Sequence, residues 1–105
     1  MTNGLDRLFS TVVARMDCDP AQSYTAKLLH AGVEKCAKKF GEEAIETVIA
    51  GIQKDRNELA KESADLLYHL AVLWAASGIM PQDVYAILES REGISGLEEK
   101  ASRGP

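Results

Sequence analysis

Cysteine is scarce in this sequence, and its scarcity excludes two classes of small protein. Only Cys18 and Cys36 occur among the 105 residues. Two isolated cysteines are too few for a disulfide framework or for a structural zinc site, which need several closely spaced ligands. We therefore expect both side chains to be plain thiols in a reducing compartment.

Long apolar runs and a basic leader segment are also missing. No segment approaches the roughly 18 uninterrupted apolar residues of a membrane span, and residues 1–7 contain no basic stretch that leads into an apolar run. The sequence predicts a cytoplasmic protein with no membrane partner.

An excess of positive charge is absent as well. The chain has 12 lysines and arginines against 16 aspartates and glutamates, which gives a net charge of -4. Affinity for a nucleic acid backbone comes mainly from lysine and arginine, so a polymeric nucleic acid partner is not expected. An acidic protein can still bind a small polyanion when it holds a divalent cation, because the ion then becomes the largest local charge.

The alternation typical of β-strands is not found, whereas helical periodicity is clear. Apolar spacing, caps and breaks predict helices over residues 5–16, 24–29, 33–54, 57–77 and 81–93. No internal repeat is evident. The sequence therefore predicts an all-α fold, a helical bundle of four to five helices with short connections, in one domain over residues 1–105.

The helix over residues 59–76 is apolar around most of its circumference. Its large apolar side chains are Leu66, Leu67, Leu70, Val72, Leu73 and Trp74. Such a helix has to be covered on nearly every side, and so short a chain has few other helices to cover it. A second copy could provide the missing cover, so we predict a homodimer.

Five carboxylates form a pattern on two consecutive predicted helices: Glu42, Glu43 and Glu46 on the first, and Glu62 and Asp65 on the second. At about 100° per residue, the first three lie within an arc of roughly 100° and the other two about 60° apart. The short turn makes the helices antiparallel neighbours, so the two acidic edges can face each other.

Carboxylates that converge in this way repel one another unless they bind cations or some of them are protonated. Oxygen ligands favour a hard ion, magnesium first and manganese second. No Glu-x-x-His pair of a di-iron centre is present. The alternative is a solvated face with Lys38-Glu42 and Lys39-Glu43 salt bridges. The lysine comes first in each pair, which is the less favourable order on a helix.

Several basic residues accompany the acidic pattern and are candidates for binding phosphate. They are Lys27, Lys35, Lys38 and Lys39, with Lys100 and Arg103 in the C-terminal tail. For each, the alternative is a solvated surface side chain. His69 lies one turn after Asp65 and is either a substrate contact or a hydrogen-bonded residue of the groove.

The motif Glu42-Glu43-x-x-Glu46, followed by Glu62-x-x-Asp65, resembles the metal-binding signature of the MazG-like all-α NTP pyrophosphohydrolases. The flanking segments carry a narrower resemblance. Residues 23–29 (SYTAKLL), 34–44 (EKCAKKFGEEA), 64–70 (ADLLYHL) and 95–100 (SGLEEK) are similar to the phosphoribosyl-ATP pyrophosphohydrolase family, over nearly the whole chain.

This resemblance implies hydrolysis of phosphoribosyl-ATP to phosphoribosyl-AMP and pyrophosphate, the second step of histidine biosynthesis. It implies magnesium held by Glu43, Glu46, Glu62 and Asp65, with Glu42 beside them. Metal-assisted attack of water on the α phosphorus would follow, with Glu42 or Glu46 as the base. The alternatives are a house-cleaning pyrophosphohydrolase that removes unwanted deoxynucleotides and a non-catalytic dimerising bundle.

Overall fold

A computed structural model describes residues 3–93, which form five helices. They are α1 (Gly4–Ala14), α2 (Tyr24–Ala31), α3 (Val33–Ile52), α4 (Arg56–Ser77) and α5 (Pro81–Ser90). No strand occurs within the described residues. The prediction of an all-α bundle with four to five helices is confirmed. Lys100 and Arg103 lie outside the described residues.

Local sequence signals explain where the helices begin. The Ser23 hydroxyl accepts a hydrogen bond of 3.1 Å from the backbone N–H of Ala26 and caps α2. The Asp55 carboxylate caps α4 in the same way, through the N–H of Glu58 at 3.0 Å. Pro81 occupies the first turn of α5, where its missing N–H costs no hydrogen bond.

Glycines with positive φ end two of the helices. Gly32, with φ at 101°, separates α2 from α3, and Gly78, with φ at 73°, ends α4. α3 ends at Ile52, two residues before the predicted limit, and Lys54 beyond it has a φ of 57°. α1 likewise ends two residues early, at Ala14.

The α3–α4 pair forms the antiparallel hairpin that carries the acidic residues. The Thr47 hydroxyl of α3 donates to the backbone carbonyl of Glu62 on α4 at 3.3 Å. Farther along α3, Gly51 lies beside Leu59 of α4. Later positions of α3 thus meet earlier positions of α4, which confirms the predicted antiparallel arrangement.

The hydrophobic core lies where α1 and α2 cover the hairpin. Its buried members are Phe9, Val12, Leu28, Cys36, Ala71, Val72 and Trp74. α1 packs against α4, α2 packs against both α3 and α4, and α5 contacts α1. The apolar faces of α4 are therefore largely covered within one chain, although Leu67 remains exposed.

The larger exposed apolar surface lies on α3. Four side chains at helical spacing, which we call the α3 stripe, are Ile45, Val48, Ile49 and Ile52, with exposed fractions of 64%, 59%, 48% and 75%. The apolar residues around α4 predict that the uncovered apolar surface lies on that helix. The structure places most of it on α3 because α1 and α2 pack against the second half of α4.

Among the described helices, none alone is long and apolar enough to span a membrane. α4 and α5 meet the length and composition criteria only together, as a pair bent by 107°.

Candidate metal centre and adjoining basic cavity

Three of the predicted carboxylates converge between α3 and α4. Glu43, Glu62 and Asp65 each place one carboxylate oxygen within 4.8 Å of the others, and we call these three residues the carboxylate cluster. Glu43 lies on α3 and the other two lie one turn apart on α4, so the antiparallel pairing of the helices creates the cluster. Glu43 and Glu62 are partly buried, whereas Asp65 is exposed.

The charges in this region destabilise one another. Burial, followed by the neighbouring Glu46 carboxylate, raises the pKa of Glu62 to about 7. The same causes raise the pKa of Glu43, again with burial as the larger. Glu46 is exposed and lies beside both residues. A divalent cation would remove this repulsion, because it compensates several carboxylates at once.

The donor set fits a hard divalent cation. Glu62 Oε2 is buried and has no hydrogen-bond partner among the described residues, which is costly for a carboxylate oxygen unless a cation binds it. Oxygens that share one magnesium ion lie at most about 4.2 Å apart, because the Mg–O distance is about 2.1 Å. Small side-chain rotations would bring the cluster, now within 4.8 Å, into that range.

A hydrogen bond from Thr47, which was not among the predicted site residues, holds the two helices together beside the cluster. Thr47 Oγ1 shares its hydrogen between two backbone carbonyls, that of Glu43 at 2.8 Å and that of Glu62 at 3.3 Å. The hydroxyl therefore links the backbones that carry two cluster residues. Its position one turn after Glu43 was visible in the sequence, but a carbonyl partner on another helix was not.

Glu42 lies apart from the cluster, although it adjoins Glu43 in sequence. Its carboxylate forms a 3.0 Å salt bridge with the Lys39 ammonium, three residues earlier on α3. This hydrogen bond lowers the pKa of Glu42 and raises that of Lys39. The structure thus pairs Lys39 with Glu42 and not with Glu43, the partner that the alternative of a solvated face gave it.

His69 is buried between the cluster and α2. Its Nε2 lies 3.8 Å from Glu43 Oε1, and its Nδ1 has no hydrogen-bond partner among the described residues. Tyr24 and Tyr68 pack edge-on against its ring, with centroids 6.3 and 5.0 Å away. Burial lowers the pKa of His69 below its ordinary value, with a smaller effect from Lys39, so the imidazole is neutral at pH 7.

A basic cavity opens between α2 and α3, next to His69. Its volume is about 240 Å³, and its lining residues are Tyr24, Lys27, Leu28, Ala31, Lys35 and Lys39. Four lysines that precede the acidic residues in sequence were predicted to bind phosphate, and three of them share this cavity. Lys38 does not line it. Tyr24 was not among the predicted site residues, although it directly follows the cap that begins α2.

Comparison with known proteins assigns this arrangement to a family. Residues 5–92 match the family described as Phosphoribosyl-ATP pyrophosphohydrolase. A protein named phosphoribosyl-ATP pyrophosphatase from Parvibaculum lavamentivorans is 61% identical over 100 residues, which cover 95% of this chain and 92% of that relative.

Two further relatives carry the same name. The protein from Azospirillum brasilense is 57% identical over 94% of this chain and 89% of its own length. The protein from Cereibacter sphaeroides strain KD131 is 56% identical over 95% of this chain and 97% of its own length. The matches span all five helices, the carboxylate cluster and the basic cavity. The chain therefore belongs to the phosphoribosyl-ATP pyrophosphohydrolase family.

Proposed function

We propose that this protein hydrolyses phosphoribosyl-ATP to phosphoribosyl-AMP and pyrophosphate, the second step of histidine biosynthesis. The observation that carries this proposal is the carboxylate cluster, which lies between two helices matched along their whole length by the family. The basic cavity beside it suits a substrate with several phosphate groups.

We propose that Glu43, Glu62 and Asp65 bind magnesium, with manganese as the second choice, and that Glu46 completes the site. A bound divalent ion supplies charge that stabilises the departing pyrophosphate and lowers the pKa of an attacking water. Glu42 remains a predicted metal ligand. Its salt bridge to Lys39 favours a different role, in which the pair holds the start of the acidic edge in place.

In the reaction, the water oxygen bonds to the α phosphorus while the bond from that phosphorus to the oxygen bridging the β phosphate breaks. The water proton must pass to a base. We assign this role to Glu46 rather than Glu42, through whichever Glu46 oxygen is not bound to the metal. Glu46 borders Glu43 and Glu62 and forms no ion pair within residues 3–93, whereas Lys39 holds Glu42. Pyrophosphate leaves with the electrons of the broken bond.

His69 is proposed to contact the substrate, because it stands between the cluster and the basic cavity. Lys38, Lys100 and Arg103 remain predicted phosphate contacts. Lys38 lies on α3 one residue before Lys39, and the other two belong to the tail beyond residue 93.

The test is pyrophosphate release from phosphoribosyl-ATP and from a panel of ordinary and deoxy NTPs, with and without a chelator. We expect strong preference for phosphoribosyl-ATP, loss of activity with the chelator, and loss in Glu43→Gln. Glu89→Gln on the exposed face of α5 is the matched control and should keep its activity.

Other outcomes would favour the rival functions. Preference for a deoxynucleotide would favour the house-cleaning pyrophosphohydrolase, which uses the same kind of metal groove. Absence of turnover, together with a melting temperature that magnesium leaves unchanged, would favour the non-catalytic bundle, because a ligand that binds the folded state stabilises it.

We further propose a homodimer in which the α3 stripe is buried against a second copy. Four large apolar side chains on one exposed helix face form a contiguous patch of the kind that marks an interface. The net charge of -4 supports a small-molecule substrate rather than a nucleic acid. A single domain over residues 1–105, a cytoplasmic location and the absence of a membrane partner remain proposals.

A further inference from the structure

Three lysines line the basic cavity, and its lining within the described residues includes no carboxylate. Lys27 comes from α2 and Lys35 from α3, so lysines of two separate helices line one space. Neither lysine has a carboxylate within 4.0 Å in the described part of the chain, whereas Lys39 is paired with Glu42. In a protein with a net charge of -4, such a cavity suits an anion.

The cavity adjoins the carboxylate cluster through a short series of side-chain contacts. Tyr24 lines the cavity, and its ring packs edge-on against His69, whose Nε2 lies 3.8 Å from Glu43. Lys39 also lines the cavity and influences the pKa of Glu43. One ligand could therefore occupy both the cavity and the space above the carboxylate cluster.

The far end of the cavity is distant from the proposed metal. Lys35 precedes Glu43 by eight residues on α3, which corresponds to about 12 Å along a helix axis. A metal ion held by the carboxylate cluster would compensate the charge of the triphosphate. An anionic group bound at the Lys27 and Lys35 end of the cavity would therefore take its charge compensation from these lysines rather than from that metal.

Phosphoribosyl-ATP has one such group, the phosphate on the ribose that is joined to its base. We propose that the basic cavity binds this sugar phosphate, with Lys27 and Lys35 as its charge partners. Tyr24 and Leu28 give the cavity an apolar wall against which the ribose can pack. The inference rests on the proposed function and assigns the residues that distinguish phosphoribosyl-ATP from ATP.

Binding of the two matching products provides the test. Phosphoribosyl-AMP carries the sugar phosphate and AMP does not, and titration calorimetry with magnesium measures both affinities without turnover. We expect Lys27→Met and Lys35→Met each to weaken phosphoribosyl-AMP binding about 10- to 100-fold, the range for hydrogen bonds to charged groups, and to weaken AMP binding much less.

Methionine keeps an unbranched apolar stem, so the cavity wall is retained. Lys54→Met is the control, because Lys54 is exposed in the turn at the opposite end of α3. It should leave the ratio of the two affinities unchanged. Circular dichroism of each variant establishes that the helices are intact.

Three results would overturn the assignment: equal weakening of both products in the lysine variants, no weakening of either, or a wild-type protein that binds both products alike. Equal weakening would place the lysines on the phosphate of the nucleotide itself. Failure of the proposed function is separate and appears as absence of phosphoribosyl-ATP turnover. Turnover that persists while the lysine variants leave the affinity ratio unchanged contradicts the subsite alone.

Discussion

Glu62 shows how one side chain can serve function at the expense of stability. It is partly buried, one of its oxygens lacks a hydrogen bond among the described residues, and its pKa is raised to about 7. A neutral glutamine of nearly the same shape would remove the repulsion within the cluster. It would also remove a negatively charged metal ligand.

We therefore expect Glu62→Gln to raise the melting temperature of the metal-free protein at pH 7.5 and to reduce the further rise that magnesium produces. It should lower kcat/KM by more than about 100-fold, the upper range for losing a residue that merely supports a metal ligand. Differential scanning fluorimetry and pyrophosphate release measure the two effects. A metal-free variant less stable than wild type, with its magnesium response intact, would contradict the role of Glu62.

The same residue predicts a pH dependence. The pKa of Glu62 is about 7 in the folded protein against an ordinary value of 4.5, so between these pH values the folded state binds more protons than the unfolded state. Its contribution to the free energy of unfolding falls as pH rises from about 4.5 to 7. The lowered pKa of His69 has the opposite effect: it makes the free energy of unfolding rise as pH increases toward 6.5.

The comparison with Glu62→Gln removes the effect of His69, which is present in both proteins, and reports the titration of Glu62 together with its repulsion by the neighbouring carboxylates. In chelator, the stability advantage of the variant should grow as pH rises from 5 to 7.5. Urea denaturation at both pH values measures it. An advantage that is constant or shrinks with pH would show that Glu62 does not titrate in this range.

At the scale of the elements, the junction between α2 and α3 sets the position of the basic cavity. Gly32 has φ at 101° and ψ at 171°, a region that is essentially restricted to glycine. Because this residue joins the two helices, it fixes Lys27 relative to Lys35. A side chain at Gly32 would meet no atom within 4 Å, so any cost of substitution comes from the backbone.

Gly32→Ala should lower the free energy of unfolding by about 1–3 kcal/mol. Gly41→Ala is the matched control, since Gly41 lies inside α3 with open space around its Cα, and should raise stability by about 0.5–1 kcal/mol. Urea denaturation compares the two variants. If both substitutions stabilise the protein, the conformation assigned to Gly32 is wrong.

At the scale of the whole molecule, the α3 stripe is an apolar surface that a single chain leaves exposed to solvent. Ile49 lies near its middle and is 48% exposed, so the isolated chain can accept a polar residue there. In a dimer the same position would be buried. A charge at Ile49 should therefore affect association much more than folding.

Wild-type protein should be a dimer at micromolar concentration, and Ile49→Asp should be a folded monomer. Loss of one buried isoleucine contributes about 1.5–3 kcal/mol, and burial of an unpaired carboxylate adds to it. The dissociation constant should thus rise by more than about 100-fold. Ile87→Asp on α5, at a similarly exposed position, is the control. Light scattering decides between the outcomes, and a monomeric wild type would remove the dimer proposal.

The sequence by itself determined the elements and the acidic pattern. Helix limits depend on local signals such as the Ser23 cap and the left-handed Gly78, and they fell within a few residues of prediction. The spacing Glu43 to Glu46 and Glu62 to Asp65 likewise depends only on the period of 3.6 residues per turn. Both are properties of a short stretch of chain, so no knowledge of packing is needed.

Tertiary structure alone decided which of these residues meet. Glu42 and Glu43 are adjacent in sequence, yet one pairs with Lys39 and the other joins Glu62 and Asp65, because α4 packs along only one side of α3. Helix packing also brings Lys27 and Lys35 into one cavity. It leaves the α3 stripe exposed for the same reason. Each depends on which helix faces are covered by distant parts of the chain, and periodicity within a single helix does not specify that.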